Sequence, residues 1–187
     1  MKHKQILTSA FTIMLVLSLV IFMANQPPAS AHAIFLGKKG KTLEIELSPP
    51  ERLFHTDEDG SFYPGSQKIT KKLEVINIGD VPFRICRFNA TFYEEGVLLA
   101  SGLQIEILEL GKGKGEKPQL LYTGTLSSLQ EGIEVSGKRA VPPRNSITLQ
   151  ITVWMLETAG NEYQGLSMTA DIAITVHFPP AHDGENK

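Results

Sequence analysis

The sequence predicts an all-β protein, a two-sheet antiparallel β-sandwich of jelly-roll type, from three observations. From Leu166 to Phe178 apolar and polar side chains alternate with the period of two that places neighbours on opposite faces of a strand. Shorter stretches repeat this pattern between Gly, Pro and Asn turns, about seven or eight strands in all. After residue 33 no convincing amphipathic helix appears. Because an apolar strand face needs a covering layer, we expect two packed sheets.

Residues 1–33 predict a secretory signal peptide. Lys2 and Lys4 precede an apolar run at 6–23, and small residues then offer A-x-A cleavage sites after Ala31 or Ala33. An uncleaved membrane anchor is the alternative, because the run approaches the length that spans a bilayer. We expect a signal peptidase as partner during export, a location outside the cell, and no stable membrane anchor after cleavage.

Residues 34–178 predict a single β-sandwich domain, followed by a disordered polar tail at 179–187. Cleavage after Ala33 leaves 154 of the 187 residues, enough for one sizeable core, and removes two lysines, which shifts the formal net charge from −2 to −4. Mild acidity without a basic run argues against nucleic acid as a partner. The single cysteine, Cys86, excludes an internal disulfide, and its apolar neighbours predict a buried residue.

The first strand of this domain is predicted at residues 42–47, where Leu43, Ile45 and Leu47 alternate with polar residues. A glycine and lysine spacer at 37–41 precedes it, and two prolines at 49–50 end it. Its place at the N-terminal end, beyond a flexible spacer, makes it the segment least constrained to pack within its own molecule.

A change of parity marks the middle of the chain. After the turn at 77–80, apolar residues lie at odd positions up to Ile85 and at even positions from Cys86 onward. Such a change needs one extra residue, so we expect a β-bulge or a sheet crossover near Ile85 and Cys86.

The remaining elements follow from similar patterns. We expect a polar hairpin loop at 111–118, a helical turn at 127–132 and Trp154 as a lid on the edge of the sandwich. Further strands are predicted at 68–75, 103–107, 120–126 and 146–156.

No motif in the sequence predicts catalysis. HExxH, GxSxG and CxxC are absent, and the GKGKG stretch lacks the spacing of a phosphate-binding loop. For His55, His177 and His182, surface residues without a role are favoured over a loose metal site, and the acidic residues 57–59 favour a solvated turn over a calcium site. We therefore assign no catalytic, cofactor-binding or metal-binding residue.

One corner near the C-terminal end is a candidate contact surface. Glu157 and Glu162 flank the turn at 159–161, close to Tyr163. No neighbouring group in the sequence pairs with these acids, so we expect contact there and no chemistry.

Several motifs resemble the TasA/camelysin family of secreted proteins from Gram-positive spore formers. They are PGS at 64–66, LEVINIG at 73–79 with a Pro-Phe pair at 82–83, LYTGTL at 121–126 and AGNEYQG at 159–165. The AGNEYQG turn before an alternating strand is the most specific. The signal region is similar to those that a SipW-type signal peptidase processes.

The resemblance implies a jelly-roll domain exported to the cell surface. TasA-like members form biofilm matrix fibres by giving an N-terminal strand to the next subunit, and residues 42–47 occupy the place of such a donor, with Leu43, Ile45 and Leu47 as its apolar side chains. Camelysin-like members are surface metallopeptidases, which would imply zinc. This chain has no recognisable zinc motif, so no catalytic residue is carried over.

The preferred functional hypothesis is a secreted structural protein of the biofilm matrix or cell surface, whose partners are further copies of itself or other matrix proteins. A camelysin-like metal-dependent endopeptidase is the first alternative. A monomeric surface or spore-coat binding protein is the second.

Overall fold

The structure is a computed structural model that describes residues 42–49, 53–54, 59, 61–93, 96–111, 113, 115–135 and 139–177, and the backbone of 12–13 and 32–36. The strands are β1 (Thr12–Ile13), β2 (His32–Leu36), β3 (Thr42–Ser48), β4 (Ile69–Asn77), β5 (Arg84–Tyr93), β6 (Leu103–Leu110), β7 (Gln119–Thr125), β8 (Ile133–Glu134), β9 (Asn145–Met155) and β10 (Thr169–His177). One α-helix, α1, covers Gly96–Gly102, and two 3-10 helices cover Leu126–Glu131 and Asn161–Tyr163. None of the helices in these ranges is long and apolar enough to cross a membrane.

The strands form two antiparallel sheets, which confirms the all-β class. Sheet A has the order β1-β10-β5-β8, and sheet B has the order β2-β3-β4-β9-β6-β7. Strands β6 and β7 are joined by the predicted hairpin loop, whereas the turn after β4 carries the chain from sheet B to sheet A.

One buried apolar cluster lies against both sheets. It takes alternate residues from each strand, because successive side chains point to opposite faces. Phe88 and Ile174 enter it from sheet A, and Val75, Ile105 and Leu149 enter it from sheet B. Each of these five is at most 2% exposed, so the alternation in the sequence identified the core correctly.

The predicted β-bulge is confirmed at Cys86. Arg87 pairs with Thr175, whereas Ile85 pairs with the next residue, Val176, so Cys86 is the extra residue of β5. Ile85 and Phe88 are therefore both buried although they are separated by an odd number of positions.

The polar face expected for β10 is largely buried, so that expectation is wrong. Asp171, Ala173 and Thr175 are only 8%, 8% and 5% exposed. The Tyr93 hydroxyl donates a 2.7 Å hydrogen bond to Asp171 Oδ2 and covers part of the carboxylate. The strand also begins at Thr169, three residues later than the alternation begins.

Two expectations about single side chains are also wrong. Trp154 lies in β9, which has β4 and β6 on either side, so it is not on an edge strand. The Lys68 ammonium lies 4.0 Å from the centroid of the Trp154 ring. Asp59, expected in a solvated turn, makes a 2.6 Å ion pair with Lys71, and its side chain is only 10% exposed. The helical turn expected at 127–132 is present as the 3-10 helix Leu126–Glu131.

The predicted domain limits stay predictions. Strand β1 and the first two residues of β2 fall within residues 1–33, where they pair with His177, Val176, Glu46 and Ile45. The tail at 179–187 lies outside the described residues.

Candidate assembly site

Strand β3, which contains the predicted donor segment, lies inside sheet B between β2 and β4. Residues Ile45–Ser48 pair with Glu74–Asn77 of β4, and residues 42–46 pair with β2. Leu43, Ile45 and Leu47 are 3%, 1% and 2% exposed. In a single chain the segment is therefore well packed, which differs from the expectation that it is the part least tied to its own molecule.

The turn after β4 holds the first half of β3 by backbone contacts. The amides of Ile78 and Gly79 both donate to the carbonyl oxygen of Glu44, at 2.9 Å and 3.1 Å, and the amide of Asp80 donates to that of Thr42 at 2.7 Å. A Cβ atom at Gly79 would lie 2.5 Å from the backbone nitrogen of Glu44. Only glycine lets the turn approach β3 this closely.

Asn77 fixes that turn from within the core. Its side-chain amide donates to the carbonyl oxygens of Val81 and Val141 at 2.8 Å and 3.0 Å, and its Oδ1 accepts from the Gly79 amide at 3.1 Å. The residue is fully buried, so each of these bonds replaces one that water would have made. Asn77 thereby connects the turn that contacts β3 to the segment around Val141.

The connection from β3 to β4 is long. It covers residues 49–68, twenty in all, whereas the turn from β4 to β5 takes only six. Leu53, 4% exposed, packs in the core, and Phe54 and Phe62 pack partly against it. Leu53 therefore anchors this long connection in the core.

The predicted contact corner packs against α1. The ring of Tyr163 lies so close to Gly102 that a Cβ atom there would be 2.9 Å from it, and the Tyr163 hydroxyl lies 3.4 Å from Ser101 Oγ. Glu157 and Glu162 are exposed, as expected for a surface, and the Glu162 carboxylate lies over Gly160. The AGNEYQG motif therefore has a structural basis in the fit of Tyr163 on Gly102.

A buried carboxyl group lies near the C-terminal end of β6, in sheet B. Glu109 is 6% exposed on the core side of β6, and burial raises the pKa of its carboxyl, while the positive charge of Arg139 opposes part of that rise. The Arg139 guanidinium itself bonds to Glu116 at 2.5 Å. Nothing in the sequence alternation predicted this acid, because a polar residue on a core position is an exception to the pattern.

No constellation for catalysis or metal binding is visible among the described residues. His177 ends β10 opposite Arg84, whereas His55 and His182 lie outside the described residues. The parts of the chain that the structure describes contain no group of three His, Cys, Asp or Glu residues that could hold a metal ion. Burial raises the pKa of the Cys86 thiol, and its Sγ contacts the carbonyl oxygen of Thr175 at 3.4 Å.

No family model matches the chain, and no curated protein matches it significantly.

Proposed function

We propose that this chain is a secreted structural protein of the extracellular matrix or cell surface, that its two sheets form a jelly roll, and that copies assemble into fibres by exchanging β3. In the fibre, β3 of one copy takes the place of β3 in the next. The observation that carries the proposal is the combination of a fully apolar, completely buried strand face with a twenty-residue connection.

The same contacts support the strand within and between molecules. Leu43, Ile45 and Leu47 fill the same part of the core whichever molecule supplies them, so exchange loses none of the apolar surface that β3 itself buries. The connection at 49–68 reaches roughly 65 Å when fully extended, and that extension requires Leu53 and Phe62 to leave the core. Repeated in one direction, the exchange produces an open chain of subunits.

The release of β3 is the costly step. Three buried aliphatic side chains and the bonds to Gly79 and Asp80 must all separate before a new partner takes the strand. We therefore expect assembly to be slow from folded monomers. It should be fast when newly exported chains meet before β3 has packed within its own chain.

A disulfide between β3 and β4 tests the proposal. Glu46 and Ile76 lie directly opposite each other on the outer face of sheet B, at the separation of paired strands that a disulfide can bridge. Glu46→Cys and Ile76→Cys are introduced together, with Cys86→Ala to remove the only native thiol. Oxidised as monomers, this variant should form no filaments by electron microscopy; reduced, it should form them.

The same variant reports which molecule supplies the strand. When the reduced protein assembles first and is oxidised afterwards, exchange predicts a ladder of covalent oligomers on a non-reducing gel. Cys86→Ala alone is the control and should assemble under both conditions. Filaments that form equally well from the oxidised monomer, or that yield only monomers after late oxidation, would show that β3 stays paired within its own chain.

A further inference from the structure

An ion pair fastens the connection between β3 and β4 near its midpoint. The Lys71 ammonium lies 2.6 Å from Asp59 Oδ1, and the two side chains are only 29% and 10% exposed. Lys71 lies on the side of β4 that carries Leu73 and Val75, and it pairs in register with Ile151, which is 3% exposed. The ion pair therefore lies at the rim of the core, where both charges are largely removed from water.

This ion pair is less exposed than others in the described part of the chain. Three of those have at least 39% of each side chain exposed: Arg87–Glu134, Arg139–Glu116 and Arg144–Asp80. An exposed pair contributes little, because water solvates each charge when the two separate. Separating a pair that is withdrawn from water costs more, because each charge then lacks both its partner and full hydration. The Asp59–Lys71 pair is therefore able to hold a segment of the chain in place.

The position of Asp59 determines how far β3 can travel. Ten residues, 49–58, separate Asp59 from the end of β3. They reach roughly 33 Å when extended, against roughly 65 Å for the whole connection. Two domains of this size in contact lie roughly 35–40 Å apart between their centres. With the ion pair closed, β3 therefore reaches its limit at about the distance of a neighbour; with the ion pair open, the connection has slack.

We propose that the Asp59–Lys71 ion pair is a latch that controls the release of β3 to a second copy of the chain. Closed, it keeps the connection folded on its own molecule. Open, and with Leu53 withdrawn from the core, it lets the connection extend far enough for exchange. The latch rests on the proposed exchange of β3 and regulates that same step.

The two partners of the latch are not equivalent. Asp59 is the more buried, so removal of the charge on Lys71 leaves a carboxylate withdrawn from water without this ammonium. Removal of the charge on Asp59 leaves an ammonium that is more exposed and can turn toward solvent. Lys71→Met should therefore open the latch further than Asp59→Asn does.

Limited proteolysis tests the latch while β3 is held in place by the oxidised Glu46→Cys/Ile76→Cys disulfide, with Cys86→Ala. Phe54 and Phe62, which pack partly against the core, are chymotrypsin sites that become available when the connection detaches. At low protease concentration the cleavage rate follows the population of the open form. Because the locked protein cannot exchange β3, this rate is independent of whether filaments form.

In the locked protein, Lys71→Met should raise the cleavage rate at least about fivefold, and Asp59→Asn should raise it less. Lys71→Arg keeps the positive charge and should stay near the parent rate. Glu134→Gln is the matched control, because it removes an acid from an exposed ion pair in the other sheet. Gly102→Ala lowers stability at a corner outside the connection and should also leave this local opening unchanged.

Without the disulfide, the same substitutions report on assembly. Lys71→Met should speed filament formation from folded monomers at least about fivefold by light scattering and electron microscopy, and Glu134→Gln should not. Equal cleavage of the Lys71→Met and Lys71→Arg proteins would overturn the latch. So would a Lys71→Met protein whose connection opens but whose filaments grow at the native rate. Filaments from no variant, the native protein included, would overturn the exchange of β3 itself, and the cleavage rates would then show only whether the ion pair fastens the connection.

Discussion

The backbone amide of Gly79 donates a 3.1 Å hydrogen bond to the carbonyl oxygen of Glu44, and no side chain separates the turn from β3 at that point. This contact joins the turn after β4 to the strand that we propose to be exchanged. Substitutions around it should therefore affect β3 first.

Gly79→Ala should destabilise the fold and loosen β3. The new methyl group would meet backbone atoms of Thr42 and Glu44, which cannot rotate away, so we expect a loss of about 1–3 kcal/mol in the free energy of unfolding. Native-state hydrogen exchange should show the largest loss of protection in residues 42–47. Gly160→Ala is the control, because its methyl group meets only the mobile end of Glu162, and it should change stability little. Equal loss of protection across both sheets would contradict a local effect.

Asn77→Ala should be more damaging than its size suggests. It removes the bonds that Asn77 makes to the carbonyl oxygens of Val81 and Val141 and to the Gly79 amide. Val141 keeps its bond from the Phe83 amide and Gly79 keeps its bond to Glu44, so we expect a loss of about 1–3 kcal/mol in urea unfolding. Asn161→Ala removes an exposed bond to Gln164 and should cost no more than about 0.5 kcal/mol. Similar losses for the two variants would mean that the Asn77 network contributes little.

Glu109 should make stability fall as the pH rises. Its pKa in the folded protein is above its value in the unfolded chain, so the folded state holds the proton more tightly. The benefit is complete below the ordinary glutamate pKa, about 4.3, and is lost as the pH rises through the raised value. Unfolding of Glu109→Gln by urea at several pH values should show a gain over the native protein that grows across this window.

The matched control for that measurement is Glu106→Gln, which removes the same charge from the outer face of the same strand. It should not reproduce the pH-dependent gain. A gain of equal size for Glu106→Gln would assign the effect to net charge rather than to the burial of Glu109.

Gly102 and Tyr163 should be energetically coupled. Gly102→Ala pushes against the tyrosine ring and should cost about 1–3 kcal/mol, but much less once Tyr163→Ala has removed the ring. A double-mutant cycle by thermal or urea unfolding should therefore give a coupling of about 1 kcal/mol or more. The same cycle with Tyr63→Ala in place of Tyr163→Ala should be additive, because Tyr63 is exposed elsewhere. Additivity in both cycles would show that the corner can adjust freely.

Local pattern was enough to predict several features of the fold. The alternation of Leu43, Ile45 and Leu47 predicts a strand with one buried face, because side-chain direction in a strand depends only on position parity. The same rule located the bulge at Cys86 from a change of parity. The turn at 77–80 and the hairpin loop before β7 follow from their glycines and polar residues, whose backbone preferences act within a few positions.

The partners of each strand depended on the tertiary structure, since pairing joins segments far apart in the chain. Packing β4 beside β3 makes Gly79 indispensable and buries Asn77, and neither role is visible from neighbouring residues. The burial of Asp171 and Glu109 likewise arises from what lies across the sheet rather than along the strand. Sequence alone therefore determined most of the longer strands and which of their faces are apolar; tertiary contacts decided which polar residues are buried and where β3 packs, because these depend on distant surfaces meeting.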